Sequence, residues 1–303
     1  MAIRETQIDN KLTWVHLTYP SQEDFSKLKS YINAHPIVLD ELLSASDRTR
    51  VDTYPEYIFM VYHFPIYDTK ELSSRRAEID IIASKETLIT VSYEELEPIQ
   101  QFERDLETRL KKKEISSAAH LLYHLLSGVN DYSVRQLKHV EKKVNYVGEK
   151  LFKRQDRKLL EEISYIKRDL LEFSIVAVPQ RSTLESLLQV ASDFWGPRFR
   201  PYFLDLVGDF SKIHYLLENL KTTIESYSET VSQIFGFKTS EIIRRFSILG
   251  FLTFPLILYA TIALQPKVEA GIINTANDFW IQFGVIAVII VTAAFFFRKK
   301  GWL

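Results

Sequence analysis

Cysteine is absent from the 303 residues. That excludes disulfides and thiolate metal sites, and it fits a protein whose bulk faces a reducing cytosol. A large charge of either sign is also missing: the formal net charge is −1 and the isoelectric point near 6.7, so there is no case for nucleic acid as a partner. The opening MAIRETQIDNK is polar and lacks an apolar core, so no signal peptide is expected. There is no glycine-rich phosphate loop, no Ser/His/Asp order with local support and no His-x-x-x-His pair, and the seven histidines are scattered. His16, within a strand-like run, reads as an ordinary strand residue rather than a ligand. No catalytic constellation emerges, so neither enzymatic activity nor an organic cofactor is expected. The mean hydropathy of −0.08 conceals an asymmetry, because nearly all long apolar runs lie after residue 245.

Before residue 115 the pattern is mixed α and β. Thr13–Leu17, Tyr57–Tyr62, Glu78–Ala83 and Thr87–Ser92 are short and rich in β-branched and aromatic residues, with Ser84-Lys85-Glu86 as a hairpin turn. Ser21, followed by Glu23 and Asp24, marks a helix start, and Pro36 suits the first turn of another. From Ile115 to Phe152 the apolar residues follow one helical stripe, and Leu159, Ile163, Ile166, Leu170 and Phe173 make a second. Pro179 is expected to interrupt that second helix. Lys142-Lys143 and Lys153-Arg154 read as solvated helix faces. Gly196-Pro197 and Pro201 mark the turn into a third, longer helix.

That helix carries Phe203, Leu206, Phe210, Ile213, Leu217, Leu220, Ile224, Tyr227, Val231 and Ile234 at alternating steps of three and four, the seam of a coiled coil. The seam is expected to supply a surface for assembly with other subunits. After Arg244-Arg245 come 19 uncharged residues, Phe246–Leu264, and a second uncharged run of 19 spans Phe279–Phe297. Each suffices for about 30 Å of hydrocarbon. Basic residues flank the outer ends (Arg244, Arg245, Arg298, Lys299, Lys300), whereas the loop 265–278 holds only Lys267 against Glu269 and Asp278. The charge asymmetry places both termini and the soluble part in the cytoplasm, with Trp280 and Trp302 as interfacial anchors. The expected division is thus a cytoplasmic α/β domain (1–115), a helical bundle and stalk (116–245), and a membrane hairpin (246–303) in the plasma or inner membrane. Two spans in one protomer cannot enclose an aqueous path, so transport requires a homo-oligomer.

Several stretches resemble the CorA family of magnesium channels, in order and spacing. His35-Pro36-Ile37-Val38-Leu39-Asp40-Glu41 resembles the family's H-P-L-x-x-E-D segment. Leu121–Leu126 with Asp131-Tyr132 resembles its L-L-Y-x-L-x-D-x-x-x-D-Y helix, with Asn130 at one acidic position. Pro201-Tyr202-Phe203-Leu204-Asp205 is similar to P-Y-F-R-D, Thr239–Ser247 to T-N-E-V-M-K-V-L-T, and Arg298–Leu303 to the basic stretch and terminal Trp-Leu. The resemblance implies a funnel-shaped homopentamer with an α+β cytoplasmic domain, a long stalk helix and a two-helix transmembrane hairpin, the first membrane helix lining the pore. It implies Mg2+, or another divalent cation such as Co2+ or Ni2+, as both substrate and regulator. The regulatory site would lie between subunits, at Asp205 on the stalk and Glu41 on the neighbouring domain, helped by Asp40. Hard cations take carboxylate oxygens, so the donors suit the ion. Glu229 matches an acidic position near the inner pore mouth.

One departure matters. Counting from the matched Pro255, the family's Gly-Met-Asn signature falls on Leu264, Gln265 and Pro266. Gln265 could supply a substitute amide ring. The pore face implied by the resemblance is Ser240, Ile243, Ser247, Gly250, Phe254, Ile257 and Thr261. Its few hydroxyls offer little to replace bulk water around an ion. Arg245 would oppose cations if it faced the axis. Two further functions stay open: a zinc transporter of the same lineage, although no Cys or His lies near the pore, and a pentameric sensor or scaffold that no longer conducts magnesium.

Overall fold

The computed structural model describes residues 3–8, 11–68, 73–153, 156–263 and 276–301. Two compact units divide the chain, Met1–Ser228 and Glu229–Leu303.

The first unit is built on a six-stranded sheet of β1 (Ile3–Gln7), β2 (Thr13–Thr18), β3 (Arg50–Thr53), β4 (Ile58–Asp68), β5 (Ser73–Ala83) and β6 (Thr87–Ser92). Its spatial order is β1-β2-β6-β5-β4-β3, and only β2 and β6 run parallel. The β5–β6 hairpin closes at Ser84, whose amide donates to the Thr87 carbonyl, as the turn residues predict. Side-chain alternation then sorts the faces. Val15, Leu17, Phe59, Val61, Ile82, Ile89 and Val91 pack beneath α1 (Gln22–Leu28) and α2 (Pro36–Glu41). Ser21 caps α1 and Pro36 opens α2, as expected. The other face carries α4 (Ala118–Lys150) and α5 (Arg157–Trp195), while α3 (Glu97–Lys111) packs on α4 and sets Phe102 edge-on to Trp14.

His16 is an ordinary buried strand residue: its two ring nitrogens lie 2.9 Å from the Thr90 hydroxyl and 3.0 Å from the Thr18 hydroxyl. Asn130 also has a structural explanation. Its side chain is buried, accepts from the Tyr62 hydroxyl (3.2 Å) and donates to the Leu206 carbonyl (3.4 Å). An amide can accept and donate at once, which an ionised carboxylate cannot.

Two expectations need correction. Pro179 does not interrupt α5, which is one helix from Arg157 to Trp195. Proline removes the helical donor to the Ile175 carbonyl, but α5 packs along β4 and β5, and that packing holds it as one helix. The heptad seam, moreover, is filled from within the chain. After Gly196, whose φ of +100° suits glycine at the turn, α6 (Arg200–Ala263) begins. Its Phe203, Leu206, Phe210, Ile213, Leu217 and Ile224 are buried. Phe203 stacks on Trp195, 5.8 Å between centroids, and the Tyr227 hydroxyl lies 2.6 Å from where a Cβ on Gly148 would stand. This part of the seam is therefore intramolecular packing and is not free for assembly.

The second unit holds the rest of α6 and α7 (Ala276–Lys299). Phe251 and Phe297 meet edge-on at 6.1 Å. Among the described residues one helical run, Pro197–Thr261, is long and apolar enough to cross a membrane, and only 6 % of its apolar window is buried. Phe246, Leu249, Phe251, Phe254, Ile257 and Leu258 on α6, and Ile281, Val285, Val288, Ile289, Val291 and Phe295 on α7, are exposed. Leaving one such side chain in water forgoes about 1.5–3 kcal/mol, so a dozen amount to tens of kcal/mol. Such a surface needs an apolar medium or partner chains.

Candidate cation-sensing carboxylates and conduction helix

Glu41 closes α2, where a hydrogen-bonded ion pair with Arg50 of edge strand β3 holds it. Arg50 also donates to Asp52 (2.7 Å) and lies over the Phe59 ring, 5.4 Å from its centroid. Its guanidinium is thus shared between two carboxylates, which raise its pKa, the Glu41 hydrogen bond contributing most. Asp40, one residue earlier, is exposed.

Behind Glu41 lies a buried acidic pair that the sequence did not single out. Glu78 and Asp80 sit two apart on β5 and therefore on one face. Glu78 accepts two bonds from the Ser46 amide (2.8 and 3.0 Å) and lies 3.0 Å from His63 Nε2. Asp80 accepts from the Tyr93 hydroxyl at 2.6 Å. Burial first, then the charges of Glu78 and Glu41, push the Asp80 carboxyl well above the usual range, against the lowering effect of the Tyr93 bond. The signal was the alternation of Glu78 and Asp80 with Ile79 and Ile81 in a run read only as a strand.

Asp205 lies in the first turns of α6, exposed, and accepts from the Tyr123 hydroxyl at 2.8 Å. Tyr123 packs edge-on to Tyr202 and His124; burial and then Asp205 raise its hydroxyl to about 12. Asp209, one turn on, is paired with Lys212 at 2.6 Å. Among the described residues no three His, Cys, Asp or Glu side chains gather as a metal-binding group. Glu41, Asp40 and Asp205 therefore do not form a complete site within one chain.

In the second unit α6 can be read as a wheel of about 100° per residue. Ile248 is buried and Leu252, Pro255, Leu256 and Tyr259 half-buried; they occupy one side. Ser240, Ile243, Ser247, Gly250, Phe254, Ile257 and Thr261 are all exposed, and they fall on the opposite side. Glu229, also exposed, shares their phase. Arg245 does not: it lies across the helix from that stripe and pairs with Glu241 one turn back, at 2.7 Å. Arg244 lies about a quarter-turn from the stripe. Arg298, Lys299 and Lys300 end α7 and its following turn, exposed. The Thr261 hydroxyl donates to the Ile257 carbonyl (2.8 Å), so its lone pairs are what remain for water or a cation. Leu264, Gln265, Pro266 and Trp302 lie outside the described residues.

A family profile described as CorA-like Mg2+ transporter protein matches residues 9–263. The chain belongs to that family. Among its CorA relatives, the cobalt/magnesium transport protein CorA of Thermotoga maritima is 22% identical over 296 residues, covering 96% of this chain and 83% of the relative. The CorA counterpart of Methanocaldococcus jannaschii is 22% identical over 308 residues, 97% of this chain and 92% of that one. The complete CorA magnesium transporter structure from the latter organism superposes with a TM-score of 0.82 at 19% identity, covering 98% of this chain and 93% of that one. The relatives are transport proteins, and the CorA fold, with its α/β part and long helix, extends over nearly the whole chain.

Proposed function

We propose that the chain is the protomer of a homopentameric plasma- or inner-membrane channel or transporter for divalent cations, Mg2+ foremost and with it Co2+ or Ni2+. The observation that carries this reading is that the family match extends to residue 263; it takes in all of α6 rather than the soluble part alone. The phase of α6 supports it. The stripe Ser240–Thr261 is turned away from the half-buried side, so five copies could present it to a shared axis, and Arg245 stays off that axis. Gly250 leaves room, and Mg2+, which sheds water reluctantly, would pass the Thr261 and Ser247 hydroxyls largely hydrated. Glu229 would attract cations at the inner mouth. The proposed division is the soluble α/β domain 1–115, the bundle and stalk 116–245 and the hairpin 246–303, with α7 as the second span and both termini cytoplasmic, the basic ends Arg244, Arg245 and Arg298–Lys300 facing that side.

In the same reading cytosolic Mg2+ bridges Asp205 of one subunit and Glu41 of the next, with Asp40 beside it, and holds the pore closed. Arg50 then acts as a tethered competitor for Glu41. A partly exposed ion pair is worth about 0.2–1 kcal/mol, too little to exclude Mg2+ but enough to weaken its binding. Replacing Arg50 by Gln should lower the Mg2+ concentration that protects the soluble part from proteolysis, by up to about fivefold. An unchanged or raised concentration would remove Arg50 from the site.

One observation favours a second reading. Leu264, Gln265 and Pro266 stand where the family carries Gly-Met-Asn, which fits a member that assembles but does not conduct. Growth of a magnesium-uptake-deficient strain separates the two. Rescue by the wild type supports conduction; failure, with the pentamer demonstrated in the membrane, supports the second. If Gln265 forms a substitute amide ring, Gln265→Ala should rescue less well than wild type; equal rescue would dismiss the ring.

A further inference from the structure

A cleft of about 470 Å³ opens between the end of β4, α4 and α5, away from every residue assigned above to conduction or sensing. Its volume is in the range that takes a small organic molecule. Tyr67 comes from β4, Tyr146 and Val147 from α4, and Glu162, Tyr165 and Ile166 from α5. Steps of three and four place the last three on one face of their helix. Three phenol rings and two aliphatic side chains thus surround one carboxylate.

That carboxylate is unsatisfied. Glu162 Oε2 is buried and has no hydrogen-bond partner among the described residues. A buried acceptor without a donor is costly, the more so when ionised. The nearby cations do not supply the donor. Lys143 is already engaged, 3.3 Å from the Asp169 carboxylate and 3.3 Å from the Tyr67 hydroxyl. Lys142 is exposed and does not reach Glu162 Oε2. Lys150 and Arg168 lie against the Tyr146 and Tyr165 rings, 3.6 and 5.8 Å from the centroids, but neither lines the cleft. Their placement shows that these rings attract cations.

The sign of the ligand follows from screening. The Lys142 ammonium acts through water, whereas the buried Glu162 oxygen acts through a lower dielectric, so Glu162 dominates the field inside the cleft. A bare metal ion does not fit, because hard cations gather several oxygen ligands and no metal-binding group of three occurs among the described residues. The apolar walls call for an apolar body attached to the charge. We infer that this cleft binds a small arylalkylamine in its ammonium form, the ammonium donating to Glu162 Oε2 and the aromatic ring lying among Tyr67, Tyr146 and Tyr165.

Titration of the full-length protein in lipid nanodiscs with 4-fluorophenethylammonium, followed by fluorine NMR against empty nanodiscs, tests this. Saturable binding of one probe per chain is expected. Glu162→Gln, nearly the same shape without the charge, should weaken it by about tenfold or more. Tyr165→Ala, at an exposed ring, should weaken it by about threefold. Lys142→Gln should tighten it, since a like charge leaves the mouth. Binding no greater than that of empty nanodiscs would mean that water alone meets Glu162 and would overturn the site. An affinity that Glu162→Gln leaves unchanged would overturn the anchor. Equal or tighter binding of 4-fluorophenylpropionate, which carries the same ring on a carboxylate, would overturn the ligand class.

Discussion

Placed in a chain that has no cysteine of its own, Ser247→Cys or Phe254→Cys should react with a positively charged methanethiosulfonate and lose divalent-cation flux by about tenfold or more. Leu249→Cys should keep its flux. Ser247 and Phe254 lie on the exposed stripe opposite the half-buried side of α6, while Leu249 is equally exposed but points well away from that stripe. A fixed positive charge about 4 Å from a unit charge costs about 4 kcal/mol at an effective dielectric of 20, and more for a divalent ion. Tenfold is therefore a conservative expectation. Oxidation should also cross-link Phe254→Cys between subunits, since the stripe converges on an axis, and leave Leu249→Cys monomeric in denaturing gels. Silencing at Leu249 with none at Ser247 would mean the helix is turned the other way.

Acid should loosen the strand core. Burial holds the His16 imidazole neutral and lowers its pKa from 6.5 to about 4. A lowered folded-state value means the stabilisation is complete above the unfolded value, near 6.5, and is lost as pH falls towards 4, because the unfolded chain takes up a proton the folded one refuses. At about 1.4 kcal/mol per unit, this one group withdraws about 3 kcal/mol across the window. Asp80 works in the opposite direction: its raised carboxyl favours the fold at low pH, and that contribution is lost as pH rises. The informative quantity is therefore the difference between wild type and His16→Asn, which keeps polar contacts to Thr90 and Thr18 but does not titrate. Amide exchange in β2 and β6 should accelerate more steeply between pH 6.5 and 4 in wild type than in the variant. Parallel pH dependences would show that His16 is protonated in the fold.

What could be read from the residues was whatever is local and periodic. β2 and β6 are dense in Trp, Val, Leu, Ile and Thr and were legible, as were the Ser21 and Pro36 helix starts and the stripe of α4. β1 and β3 were not. Ile3-Arg4-Glu5-Thr6-Gln7 and Arg50-Val51-Asp52-Thr53 are edge strands, whose polar sequence reflects an uncovered face and not a weak β preference. Pro179 misled because a proline is a local signal, whereas the tertiary packing that sustains α5 is not. The seam of α6 was read correctly as a packing surface, but nothing in a heptad says whether its partner is another subunit or the chain's own helices.

At the candidate site the residues alone suggested no ligands; Glu41, Asp40 and Asp205 were singled out by the family resemblance. Arg50 follows Glu41 by nine positions, a spacing with no meaning until β3 folds back beside α2. Tyr123 and Asp205 are 82 residues apart, and their contact is equally invisible in sequence. Glu78 and Asp80 could have been found by asking why two acids share one face of the otherwise apolar run Glu78–Ala83.

The central claim is conduction through α6 despite the missing Gly-Met-Asn. It is tested most directly by purified wild-type protein in liposomes loaded with a Mg2+-sensitive dye. The account predicts Mg2+ entry above that of protein-free vesicles, with Co2+ and Ni2+ also carried. It also predicts that Mg2+ on the side facing the soluble part slows entry, and that Glu41→Ala with Asp205→Ala relieves the slowing. No flux of any of the three ions, in a preparation shown to be pentameric, would contradict it.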